Sequence, residues 1–308
     1  MKWNKIPFVF HPIYSQLSLP ANHRFPIEKY QALKDAAFAL HAPALELHLV
    51  AAPVATDLLY SVHESQYVDD FVDGKITPKA MKRIGFPWSE QFVKRTRTAV
   101  AGTLLAAELA VNNGVAINGT GGYHHAFPDL GSGFCVFNDL VLAAKQLLQR
   151  GDASRVLIFD CDVHQGDGSA VCAQESTDIF TLSIHCEKNF PARKQQSDWD
   201  LGLDKHIKDQ EYLNQVAYAL DAAVNSFRPD FIIYDAGVDV HENDDLGLLN
   251  VTTSGIFARD RLVMMAARQL DIPILAVIGG GYQRDIACLT RQHMQLIDAT
   301  VSVFAPVA

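Results

Sequence analysis

Short apolar runs alternate with longer segments of helical period along most of the chain. The runs at 8–10, 47–51, Val115–Asn118, Val156–Asp160, 179–185, Phe231–Asp235 and 274–278 are nearly continuous in Val, Ile, Leu and Phe. That is the pattern of strands covered on both faces. Helical patterns occupy roughly 27–41, 89–112, 137–150, 209–227, 255–270 and 283–300. The alternation predicts an α/β fold, a three-layer α/β/α arrangement around a central, mainly parallel sheet with right-handed crossovers. The stretch 73–88, with Gly74, Pro78, Gly85 and Pro87, reads as a long loop. No Ser/Gly-rich linker, repeat or low-complexity tract interrupts the chain, so residues 1–308 are expected to form a single domain.

In such sheets function collects just beyond the carboxyl ends of the strands. Five of the apolar runs end in dense clusters of Gly, His and Asp: GTGGYHH with His124 and His125, DCDVHQGDG with Asp160, Asp162, His164 and Asp167, the single His185, DAGVDVHENDD with Asp235, Asp239 and His241, and GGGY ending on Tyr282. Asp162 and His164 are two residues apart at a strand end, so their side chains point the same way. With Asp239, which follows another apolar run and a glycine, they make an O/N/O ligand set suited to Zn2+ or Fe2+ with positions left open. The plainer reading of D-x-D-x-H is a cap for the next helix.

The His124–His125 pair follows Gly119, Gly121 and Gly122, in a loop where both rings can line one pocket. Each ring needs a carboxylate at its far nitrogen to hold its tautomer, and Asp160 and Asp167 are available. The same glycines hint at a dinucleotide loop, but the third glycine position is His124 and no helix pattern begins before Gly133. GGGY reads either as a flexible strand-to-helix turn or as a loop that brings the Tyr282 hydroxyl to a developing oxyanion. No G-x-S-x-G elbow is present to support a serine acyl-enzyme.

Composition narrows the setting. The 308 residues are 49% hydrophobic and 20% charged, which excludes disorder as the main state. The most apolar stretch, 99–111, contains Glu108 and is too short to span a bilayer, and the first residues lack a secretory pattern. A cytoplasmic protein without membrane association is expected. The net charge of −9 and the lack of a basic cluster argue against nucleic acid. Five cysteines without a C-x-x-C pair argue against both a disulfide framework and a cysteine zinc site.

GGYHH, SGFCVFND, DCDVHQGDG, DAGVDV and GGGY, in that order, resemble the zinc-dependent histone deacetylase family, which includes acetylpolyamine amidohydrolases and acetoin-utilisation proteins and shares its fold with arginase. The resemblance runs from about His11 to the last helix. HQGDG, AGxD followed by LG, HRFP near the start and the short chain look most like the class IV branch and its bacterial relatives. It implies that Asp162, His164 and Asp239 bind zinc, that His124 and His125 are the tandem catalytic histidines with partners Asp160 and Asp167, and that Tyr282 polarises the acyl carbonyl. It also implies that Gly133 and Phe134 form a tunnel wall facing Phe190, and that Asp160, Asp162, His164, Ser183 and Ile184 hold a structural K+, mostly through backbone carbonyls. The reaction so implied is hydrolysis of an acyl-lysine amide through a zinc-bound water, with His125 as general base and His124 acting electrostatically. A small acetylated amine, such as a polyamine, is the alternative substrate; a non-catalytic binding module is disfavoured because every matched position is filled. Two departures concern the rim. Ala-Arg-Lys follows Phe190-Pro191 where relatives carry Pro-Gly-Thr-Gly, and no aspartate matches the one that grips a peptide backbone, so 82–88 is expected to contribute to the rim instead.

Overall fold

The computed structural model describes residues 5–305. Among them, eight strands form one sheet: β1 Ile6–Phe10, β2 Leu45–Leu49, β3 Val115–Asn118, β4 Val156–Asp160, β5 Ile179–Cys186, β6 Trp199–Leu203, β7 Phe231–Asp235 and β8 Ile274–Val277. Ten α-helices accompany them: α1 Lys29–His41, α2 Thr56–Leu59, α3 Ser65–Val72, α4 Pro78–Ile84, α5 Glu90–Asn113, α6 Asp139–Arg150, α7 Asp167–Ala173, α8 Asp209–Phe227, α9 Thr253–Gln269 and α10 Ile286–Phe304. The strand order is β2-β1-β3-β8-β7-β4-β5-β6 and every pairing is parallel. The expected α/β class holds, as the three-layer arrangement with helices on both faces.

Burial explains which strands were legible. Every residue of β1, β3, β4, β7 and β8 is buried, as continuous apolar runs require. The edge strands break that pattern. β2 begins two residues earlier than the run at 47–51, because only Leu45 of its five residues is buried. β6, with sequence WDLGL, carries no continuous apolar run and exists through its pairing with β5.

The expected loop at 73–88 is corrected: it contains α4. Thr77 Oγ1 accepts from Ala80 N at 3.2 Å, Pro78 occupies the first turn, and Gly85 closes the helix in the left-handed region at φ 94°. The residues read as loop punctuation are the helix's two ends. Met81 and Ile84 are its buried side. No helix among the described residues is long and apolar enough to cross a membrane.

Candidate active site

Strand register brings the polar clusters together. Asp160 at the end of β4 lies beside Asp235 of β7 on one side and Ser183 of β5 on the other, and Asp235 lies beside Val277 of β8. Chain leaving β4, β7 and β8 therefore enters the same small volume. It delivers Asp162 and His164 from β4 and Asp239 from β7, all buried, with one ligand-type atom of each within 4.8 Å of the others.

His164 Nδ1 is 3.0 Å from Asp162 Oδ1 and 3.2 Å from Asp239 Oδ2. Asp162 Oδ2 accepts from Gly280 N (3.0 Å) and Asp239 Oδ1 from Val163 N (2.9 Å), which fixes both carboxylates. Asp239 Oδ2 makes no hydrogen bond although it is fully buried. Leaving such an oxygen unpaired is costly, and a cation among the three side chains removes the cost. The electrostatics agree. Burial and the neighbouring Asp162 charge push the Asp239 carboxyl up to about 7. Against its burial, the two carboxylates draw His164 up to about 10. The pocket holds a positive charge there, as a proton on His164 or as a cation, and the donor set fits Zn2+ or Fe2+.

The tandem histidines sit beside this pocket with ring centres 4.1 Å apart, both buried. His124 Nδ1 donates to Asp160 Oδ2 at 2.7 Å, and His125 Nδ1 donates to Asp167 Oδ1 at 2.6 Å. A carboxylate only accepts, so each Nδ1 carries hydrogen and each Nε2 is left for other partners. Asp160 is steadied in turn by Asp162 N on Oδ1 (3.0 Å). Asp167 opens α7 and also takes Gly168 N on Oδ1 at 3.0 Å. The two rings then diverge. Asp160 and Asp162 overcome the burial penalty and hold His124 well above the ordinary imidazole range. Burial, followed by the nearby His124 charge, lowers His125 to about 4. The surroundings thus favour the charged form of His124 and the neutral form of His125.

Tyr282 follows β8, and its backbone N donates to Asp244 Oδ2 at 2.7 Å. Its ring centre is 6.3 Å from that of His164 and 5.7 Å from that of Phe134. Burial, with the charges of Asp162 and Asp239, pushes its ionisation far upward, so the hydroxyl keeps its proton. Phe190, 42% exposed, stands edge-on to His125 at 4.9 Å. Gly133 lies between those rings at φ 52°, where an added Cβ would come within 2.6 Å of His125 Cδ2 and 3.1 Å of Phe190 Cε1. Phe134, at φ 67°, is held by donation from its N to Ile84 O, the last residue of α4, at 2.8 Å. Ser183 Oγ accepts from Gly166 N (3.3 Å) and lies 3.0 Å from His185 Nδ1, with Ile184 buried next to it. The expected site residues thus fall in one neighbourhood. The rim also contains Lys194, whose Nζ donates to Asn189 O and Pro191 O, both at 2.8 Å, bracing the segment around Phe190 where the sequence departs from Pro-Gly-Thr-Gly.

Two residues had no role in the sequence reading. Asp235 is wholly buried beside Asp160 with both carboxylate oxygens unpaired. Arg259, on α9, is also wholly buried and donates to Gly237 O (2.7 Å), Ala236 O (3.2 Å) and Cys161 O (3.3 Å) while pairing with Asp260 at 2.8 Å. Those carbonyls belong to the two loops that carry Asp162 and Asp239. The available signal was a charged pair in phase with the buried stripe Gly255, Ile256, Val263, Met264 and Ala267.

Residues 23–297 match the histone deacetylase domain. An uncharacterised protein of Picosynechococcus sp. is 45% identical over 97% of this chain and 99% of its own length. Acetoin utilization protein AcuC of Staphylococcus aureus is 30% identical over 79% of this chain and 68% of its own. Among solved structures, an acetylpolyamine aminohydrolase from Burkholderia pseudomallei superposes with a TM-score of 0.80 at 20% identity, covering 97% of this chain and 99% of that one. At that identity it speaks for the fold.

Proposed function

Because the chain belongs to the histone deacetylase family, we propose that this hydrolase cleaves the amide of an acyl-lysine or a similar N-acyl amine, with Asp162, His164 and Asp239 holding Zn2+, or Fe2+ in its place. The observation that carries this reading is the pairing of two His–Asp dyads beside a three-ligand pocket with an orphaned carboxylate oxygen. Bound there, the metal supplies a Lewis acid that polarises the amide carbonyl and makes water a better nucleophile.

The chain's own residues do the rest. His125 Nε2 takes the proton of the attacking water while Asp167 keeps Nδ1–H in place. The same nitrogen then returns the proton to the departing amine, so that water is consumed and a carboxylic acid and an amine leave. His124, held positive by Asp160, stabilises the charge that builds between them. The Tyr282 hydroxyl donates to the former carbonyl oxygen as it becomes an oxyanion. Phe134 and Phe190 flank the approach, which suits a thin aliphatic chain. A structural K+ at Asp160, Asp162, His164, Ser183 and Ile184 belongs to the same proposal, as does a single catalytic domain over 1–308.

A small acetylated amine is the second reading, kept by the lack of a peptide-gripping rim aspartate. Turnover of acetyl-lysine peptides, longer acyl-lysines and acetylated polyamines by the zinc-loaded protein separates the two. Amide cleavage that is lost in Asp239→Asn together with bound metal is expected. Full activity in that variant, or no cleavage of any member of the panel, overturns the proposal.

A further inference from the structure

Among the described residues the sheet ends at β2, whose outer edge has no partner strand. Ala44 O and Val50 N both bond to β1, so by alternation the even-numbered residues of this segment turn their backbone inward. Leu45, Leu47 and Leu49 are left presenting N–H and C=O outward. Natural edge strands are guarded by proline, lysine, a bulge or a covering loop. The five residues of β2, LELHL, include neither Pro nor Lys, and β2 pairs residue for residue with β1 without a bulge. Two of its leucines are exposed, Leu47 by 38% and Leu49 by 59%, with Leu40 at the end of α1 exposed by 68%.

The sequence is also palindromic in chemistry about Leu47. We propose that β2 is a homodimer interface, in which a second copy pairs antiparallel across this edge on a two-fold axis through Leu47. That register sets Leu47 against itself and Leu45 against Leu49 of the second copy. On the opposite face it sets Glu46 against His48 of the second copy, twice by symmetry, which is the close cross-strand position where opposite partners attract. Moving the axis by one residue, a two-residue slip of the strands, would set Glu46 against Glu46 or His48 against His48, so the pattern selects one register.

Sedimentation velocity over a concentration series tests this on the full chain. A reversible dimer is expected for the wild type. Glu46→Arg, which removes both cross-strand attractions, is expected to weaken it about tenfold. The double variant Glu46→His/His48→Glu, which restores the pairs in mirrored order, is expected to recover it. Leu47→Lys, which opposes two ammonium groups on the axis, is expected to give monomer with unchanged circular dichroism, since the side chain is already exposed. A wild type monomeric at every concentration, or a dimer that Leu47→Lys leaves intact, overturns the proposal.

Discussion

His124 and His125 are neighbours of the same chemistry, each on a carboxylate, and their surroundings alone assign them different states. His124 has three acidic neighbours, Asp160, Asp162 and Asp235, whereas His125 has Asp167 and faces the His124 ring across 4.1 Å. Removing the neutral ring with His125→Ala is expected to lower kcat by about 10²–10⁴ while metal content, measured by atomic emission, stays unchanged. Gly133 offers a second test at this scale. Alanine there is strained at φ 52° and pushes on His125 and Phe190, so Gly133→Ala should lower kcat/KM by at least about tenfold in a folded protein, a misplacement effect read by steady-state kinetics. The ligands and dyads were legible as residues because Asp, His and Gly are conspicuous at strand ends. Asp160 and Asp167 could be offered from the residues as partners for the rings, but which acid meets which ring is set by strand register, since Asp160–His124 and Asp167–His125 span distant segments.

At the scale of elements, the legible parts were those whose burial repeats along the chain. β3, β4 and β7 matched their apolar runs to the residue because both faces are covered. β6 and α4 were missed for opposite reasons. β6 has half-exposed residues and a glycine, and its backbone is set by β5. The end signals of α4 are strong, but the helix spans only seven residues and shows little period. Thr77→Ala should cost about 1 kcal/mol in urea unfolding, and since α4 ends on the carbonyl that holds Phe134, the loss should also raise KM. α9 contributes differently, through the guanidinium that ties the Asp162 and Asp239 loops together. Arg259→Met leaves the buried Asp260 without its counter-charge, held only by the Tyr234 hydroxyl at 2.6 Å, and three carbonyls without their donor, and should cost about 3–5 kcal/mol in chemical unfolding, with weaker metal binding in the folded fraction.

Across the whole molecule, distant segments are joined by buried polar groups that tie stability to pH. His63, between α2 and α3, lies 2.8 Å from Phe127 O through Nδ1 and accepts from Asn138 N at 2.9 Å through Nε2, linking this region to the loop after the tandem histidines and to the start of α6. Burial lowers it to about 4 from an ordinary 6.5. Between those values the unfolded chain binds a proton that the folded chain refuses. Stability present above pH 6.5 is therefore lost as pH falls towards 4, by about 3 kcal/mol from this group. Thermal melts over that range should show the loss, and His63→Gln should flatten it.

The strand order has a consequence for truncated chains. β8, the last strand in chain order, occupies the middle of the sheet, between β3 and β7. Without it the strand pairings fall into two groups, β2-β1-β3 and β7-β4-β5-β6, with no backbone ladder between them. The tandem histidines wait on one half and the metal ligands on the other. The insertion of four apolar residues, Ile274 to Val277, joins them. A chain truncated before Ile274 is therefore expected to show no activity, since it lacks both this joining strand and Tyr282.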